Sequence, residues 1–431
     1  MAFPGDPADS ASAPSTPAPV IELATGAIAA GGGCVARAAD GRVVFVRHAL
    51  PGERVMAEVT AEGSSFLRAD AVEILEASPD RVVPPCRHAG PGRCGGCDWQ
   101  HVSLPAQRRL KSALVSEQLR RVAGIERAVE VEPLEGSSDG LGWRTRVRFA
   151  VDGSGRIGLR KHRSHDIEPV GRCPLATEAV SLVDVGAARW RGAHHVEVTA
   201  SPDGGVPVVS VETGRGRLAG RPAVDAGLVV DGRTLRRPDR VGFEVLGRNF
   251  EVSAGVFWQV HPGAAALLTR IVLDGLAPVA GERVADLYAG AGLFTVPLAH
   301  QVGPNGRVVA VERHGRACAD AARNATGLHH VEIVRAAVDV QCVEQYLGTP
   351  DLIVLDPARQ GAGQSVMRAL AALDPSPRRI AYVACDPASF ARDLRVMLDA
   401  RWSIRSLRAF DLFPMTEHVE LVGMLEPPGV G

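Results

Sequence analysis

Three patterns of apolar and polar positions follow one another along the chain. From Val20 to Ser78, short alternating runs are broken by glycine: GRVVFV at 41–46, ERVMAEVT at 53–60 and FLRADAVEIL at 66–75. Runs of this length and period predict half-buried strands, and close spacing with glycine turns predicts a small barrel over 20–78. The preceding MAFPGDPADSASAPSTPAP has no such period, and its Pro, Ala and Ser content predicts a disordered tail over 1–19.

From 79 to 240 the pattern is mixed. LPAQRRLKSALVSEQLRRVAG at 104–124 has helical spacing, with its basic residues assigned to the polar side. WRTRVRFAVDGSGRIGLRKHRSHDIEPV at 143–170 reads as two strands around a DGSG turn, with Arg144, Arg146 and Arg148 alternating onto one face. Such a row suits a phosphate backbone, although an isolated row is more often a solvated strand face. Over 241–431 strand-like and helix-like segments alternate. RVADL (283–287), RVVAVE (307–312), DLIVLD (351–356) and RIAYVAC (379–385) are continuous apolar runs, the mark of a doubly wound parallel sheet. The fold class expected is therefore multidomain α/β, with a Rossmann-like sheet last.

Composition alters this picture in two places. The chain of 431 residues is 46% hydrophobic and 23% charged, which excludes a disordered, fibrous or coiled-coil protein. Its net charge of −1 argues at first against a nucleic-acid binder. Between Arg81 and Arg172, however, 17 Arg and Lys face 10 Asp and Glu, a local surplus of 7 that the neutral total conceals. No window approaches the roughly 20 apolar residues of a membrane span, and no targeting segment is apparent. A cytoplasmic protein with reduced thiols is expected.

Candidate chemistry concentrates in the last region. Gly290 and Gly292 follow RVADL as the glycines of a first strand-to-helix turn do, and Glu312 ends the next strand, where an acid accepts hydrogen bonds from ribose hydroxyls. Either NAD or S-adenosylmethionine suits this spacing. The third glycine of the dinucleotide fingerprint is missing, which favours the methyl donor. Asp356 and Arg359 follow one strand and Cys385 another, at the edge where such sheets bind ligands. Cys385 is a candidate nucleophile, with a buried core thiol as the plain alternative. Glu417, His418 and Glu420 offer a general base.

Four cysteines form a separate group. Cys86, Cys94 and Cys97 lie within 12 residues and Cys173 follows, a spacing that suits an iron-sulfur cluster or structural zinc equally.

Taken together, CGGCDWQH (94–101), FWQV (257–260), DLYAGAGLF (286–294), LDPARQG (355–361), YVACDPASFARD (382–393) and DLFPMTEHVE (411–420) resemble, in order, the motifs of the TrmA/RumA family of S-adenosylmethionine-dependent RNA uracil-5 methyltransferases. The resemblance is to the branch with a TRAM domain and an iron-sulfur cluster. It implies an OB-like TRAM barrel at 20–78, a central iron-sulfur and RNA-binding domain at 79–240 and a methyltransferase domain at 241–431. It also implies a 4Fe-4S cluster on Cys86, Cys94, Cys97 and Cys173. Donor contacts fall to Gln259, Tyr288, Glu312 and Asp356, the nucleophile to Cys385 and the base to Glu420. The implied partner is RNA, ribosomal more than transfer, for a monomer acting alone. Asp386 stands where relatives usually have Asn, Ala358 where they have Pro, and Leu293 where some have a polar donor contact. A nicotinamide-dependent oxidoreductase and a non-catalytic RNA-binding protein are the rival classes.

Overall fold

The computed structural model describes residues 18–134, 139–214 and 216–429, so the tail expected at 1–19 lies, up to residue 17, outside the described residues. The chain forms two compact units that divide after Arg81. The first is a five-stranded sheet in the order Val20–Ala24, Arg54–Glu62, Phe66–Glu76, Val43–Arg47, Cys34–Arg37. All three strands read from the alternation are present, and two short ones join them. The loop after the first strand bonds to the last strand in the order, with Gly26 N–H on Val35 O at 2.7 Å and Val35 N–H on Ala27 O at 2.9 Å. Val44, Val46, Val55, Ala57 and Ala69 fill the interior.

The second unit holds a seven-stranded sheet, a two-stranded one and an eight-stranded one. The largest runs in the order Val331–Arg335, Arg307–Glu312, Arg283–Leu287, Leu352–Leu355, Arg379–Ala384, Glu420–Glu426, Ser403–Asp411, Val131–Pro133. Its first five strands are parallel, as the continuous apolar runs predict, because helices cover both faces. Successive side chains enter opposite cores. Val284, Leu352 and Val383 pack with the helix Ala264–Leu276, whereas Ala285, Ile353 and Tyr382 pack with the helices Gln364–Ala371 and Pro387–Asp399. The outermost strand, Val131–Pro133, comes from the middle of the sequence and lies parallel to Ser403–Asp411.

Two readings of side-chain placement change. The helix Leu104–Gln118 forms as expected and ends through a wide turn at Gly124 (φ 73°). Its Lys111, assigned to the polar side, is fully buried instead, because Asp411 accepts its ammonium at 2.5 Å. Nor do the three arginines form an open row. Arg148 is paired with Glu212 at 2.6 Å and Arg146 lies 3.8 Å from Glu197, while Arg144 precedes the strand Arg146–Val151 and sits over the Trp143 ring at 5.0 Å. Among the described residues no helix is long and apolar enough to cross a membrane.

Candidate active site

Every residue singled out in the last region lies at the carboxyl edge of the large sheet or beside it. The strand Arg283–Leu287 turns through Tyr288 (φ 62°), Gly290 (φ 57°) and Gly292 (φ 89°). A side chain at Gly290 would meet nothing within 4 Å, so glycine there serves a left-handed backbone beside open space. Gly290 N–H donates to Glu312 Oε2 at 3.1 Å, and His314 N–H donates to its other oxygen at 2.6 Å. The acid ending the second strand is thereby held against the glycine turn.

Beneath that turn lies Asp286. It is 1% exposed; Thr295 Oγ1 donates to its Oδ2 at 2.5 Å, and its Oδ1 has no hydrogen-bond partner. Burial pushes its carboxyl up to about 7, against the bonds from Thr295 and with the help of Glu312. Burial and Asp286 together push Asp356 up to about 7 as well. Gln259 Nε2 reaches Asp356 Oδ2 at 3.4 Å. The open glycine turn, the Glu312 carboxylate and the unpartnered Asp286 oxygen suit a ligand that carries a ribose and an ammonium group.

The strands Arg379–Ala384 and Glu420–Glu426 are antiparallel, with Ala384 opposite Leu421. The same register carried one residue further sets Cys385 against Glu420. Cys385 is part-exposed and Glu420 is 2% exposed. Burial, then the charges of Glu420 and Asp356, push the Cys385 thiol up to about 12, and Arg359 opposes this. Burial and Asp356 raise the Glu420 carboxyl well above its usual range. Arg359 Nη2 lies 2.9 Å from His418 Nε2. Burial and the neighbouring cations, Arg359 foremost, bring His418 down to about 4, so its ring is neutral. Asp386, in place of the usual Asn, caps the helix Pro387–Asp399 by accepting Ser389 N–H at 2.7 Å. Leu293 is 7% exposed and packs in the core.

Two acids were missed. Asp286 reads in the sequence as part of an apolar strand, and only its burial beneath the turn exposes its role. Asp339 follows the strand Val331–Arg335 and accepts Cys342 N–H at 2.8 Å, capping the short helix Val340–Cys342. Its signal was available, since an acid just after a parallel strand stands at the ligand edge.

Of the four clustered cysteines, all free thiols, Cys86, Cys94 and Cys97 come from the irregular stretch before the helix Leu104–Gln118 and Cys173 from a later loop. Burial raises Cys94, Cys97 and Cys173, with Cys97 reaching about 12, and Arg144 lowers all three. Cys94 and Cys173 each feel the charge of Cys86, and Cys97 feels both Cys94 and Cys173, so the four are gathered about one region. The CGGC sequence is needed for this packing: a Cβ on Gly95 would lie 2.7 Å from the His162 backbone. Among the described residues, even so, no group of three or more His, Cys, Asp or Glu is arranged to hold a metal ion.

The chain is 46% identical to an RNA methyltransferase of Streptomyces avermitilis over 429 residues, covering 95% of this chain and 99% of the relative. It is 34% identical over 426 residues to a 23S rRNA (uracil(1939)-C(5))-methyltransferase of Chromohalobacter salexigens, covering 91% and 86%. The chain belongs to the TrmA/RumA family of RNA methyltransferases. No family model matches it. A Pyrococcus abyssi tRNA (uracil-54, C5)-methyltransferase solved with S-adenosyl-L-homocysteine superposes with a TM-score of 0.70 over 94% of this chain and 100% of its own, at 22% identity, so the two chains share a fold.

Proposed function

We propose that the chain methylates carbon 5 of a uridine in RNA through a covalent adduct on Cys385. The observation that carries this reading is the pairing of a thiol and a buried carboxyl across one antiparallel register, beside the glycine turn and Asp356. S-Adenosylmethionine, when bound, supplies an electrophilic methyl on a sulfonium. Glu312, Gln259, Tyr288 and Asp356 would hold it, with the unpartnered oxygen of Asp286 and the carboxylate of Asp339 as further acceptors.

Uracil carbon 5 is a weak nucleophile. Cys385 Sγ, after giving its proton to water at the open rim, adds to carbon 6 and the displaced electron pair moves to O4. Carbon 5 of this enolate takes the methyl group, and the electrons of the broken bond stay with the donor sulfur. Glu420 then removes the carbon-5 proton; the electron pair restores the double bond and the carbon–sulfur bond breaks, returning the thiolate. Burial suits Glu420 to this step, because it strengthens the carboxylate as a base. Arg359 is the cation able to favour the Cys385 thiolate, and His418 accepts from it only while neutral.

The target base has to reach both side chains, so it leaves its local stack. Phe257, 58% exposed with the Arg146 guanidinium 5.6 Å over its ring, is a suitable stacking platform two residues from Gln259. The identity to a 23S rRNA enzyme favours ribosomal RNA over transfer RNA. The first unit reads as the TRAM barrel. The motif resemblance, together with four free thiols beside Arg144, supports a 4Fe-4S cluster that Cys86, Cys94, Cys97 and Cys173 would hold, with zinc as the competing metal.

The test uses labelled donor with 23S and transfer RNA from cells lacking this protein. Methyl incorporation into 23S RNA alone is expected, lost in Cys385→Ala together with the denaturation-resistant RNA adduct. A Cys385→Ala protein with full turnover sinks the mechanism, and labelling of transfer RNA alone sinks the target. Iron and sulfide in protein purified without oxygen support the cluster, whereas stoichiometric zinc removes it.

A further inference from the structure

The segment that leads into Glu420 is held from outside its own sheet. Gln107 and Lys111 lie one turn apart on the helix Leu104–Gln118, hence on one face, and both are fully buried. Lys111 Nζ donates to Asp411 Oδ1 at 2.5 Å and to Phe413 O at 3.0 Å. Every polar atom of the Gln107 amide is used: Nε2 donates to Trp99 O at 3.1 Å and Val102 O at 2.9 Å, and Oε1 accepts Met415 N–H at 2.8 Å. The carbonyl of Met415 accepts from both Asp98 N–H, at 3.1 Å, and Trp99 N–H, at 3.0 Å. Asp98 Oδ2 receives Glu417 N–H at 3.4 Å.

Met415, gripped at both its N–H and its carbonyl, has φ 68°. A residue with a side chain adopts this left-handed conformation at a cost, and it persists only where the surroundings impose it. The surroundings here are the loop just after Cys97 and one buried amide.

We propose that Gln107 is a positioning residue, which with the backbone of Asp98 and Trp99 locks Met415 left-handed and so fixes where the Glu420 carboxyl stands relative to Cys385. The inference rests on the reading of Glu420 as the base. It explains why a helix face that meets the core carries an amide and an ammonium. It also gives the Cys94–Cys97 loop a task in methyl transfer that needs no electron: the loop's packing determines the place of the base five residues beyond Met415.

The experiment is single-turnover methylation of an RNA carrying the target uridine, quenched at intervals and resolved under denaturing conditions. In Gln107→Met, adduct formation is expected to stay within a few-fold of wild type. Adduct breakdown is expected to slow by about 10- to 100-fold, as displacement of a catalytic group by an ångström does. Backbone amides of 412–418 should exchange faster with deuterium while those of 379–384 do not change. Asp98→Ala, at a part-exposed position, should show the same split more weakly and carries the test if Gln107→Met does not fold. Wild-type breakdown, or formation and breakdown slowed equally, overturns the proposal. Glu420→Gln run in parallel separates the two readings. If it releases product at the wild-type rate, the base assignment itself falls; if it retains the adduct while Gln107→Met does not, only the positioning role falls.

Discussion

Glu53 of the first unit and Glu420 of the large sheet are 0% and 2% exposed, yet their carboxyls shift in opposite directions. Burial pushes both up. At Glu53 it is outweighed: Arg81 grips both oxygens at 2.6 Å, and the N–H groups of Leu50 and Ser78 donate at 2.8 and 3.0 Å, so the carboxyl ends below its usual range. At Glu420 nothing outweighs it. Asp356 adds a like charge, and Arg359 acts on Cys385 and His418 instead. A buried acid provided with partners is a fastening of the fold, whereas one denied them keeps its proton to a higher pH at a cost in stability, the state of the carboxyl proposed as the base.

Several substitutions would break or sharpen this contrast. The largest effect belongs to Glu420→Gln, which should leave the RNA adduct intact and slow its release by about 10²- to 10⁴-fold, the range general bases supply; rapid-quench kinetics of product release would check it. Next comes Arg81→Leu. Stripping Glu53 of its cation should destabilise the first unit by about 3–5 kcal/mol, as when one member of a buried pair is removed, read from the first transition of denaturant unfolding.

Asp356→Asn should do the reverse. The folded carboxyl titrates near 7 against an ordinary 3.8, so its stabilisation is complete only below 3.8 and is lost as the pH rises through 7. At pH 8 the variant should therefore unfold at a higher temperature than wild type while losing methyl transfer, and the gap should close as the pH is lowered. The smallest effect is in the pH profile of the wild type. From pH 8 to 6.5 the raised carboxyls of Asp286 and Asp356 add stability on acidification. Below 6.5 the same two carboxyls go on adding stability, but His261 and His418, both brought down to about 4 chiefly by burial, oppose them, since the unfolded chain takes up protons on these rings first. A thermal midpoint that rises from pH 8 to 6.5 and then levels off towards pH 4.5 is expected, and in His261→Gln the rise should continue through the acid side.

Much of the fold was legible because its signals are local. Alternation marks a half-buried strand and a continuous run a fully covered one, so Val43–Arg47, Arg283–Leu287 and Leu352–Leu355 could be read within a residue or two. Gly290, Glu312 and Cys385 were legible for a related reason: a parallel sheet presents its strand ends to the ligand, and position in the repeat tells which residues those are.

Other features depend on residues hundreds of positions apart. Lys111 looked like a surface residue until Asp411, 300 residues away, took its charge. The Arg146 and Arg148 row looked open until Glu197 and Glu212 filled it. Val131–Pro133 carries no sign that it will join the last sheet. The sequence by itself determined which elements form and which side chains reach the active edge. Only the tertiary structure decided how strongly each acid there holds its proton. That depends on which partners surround a buried charge, and burial and partners are properties of packing rather than of order along the chain.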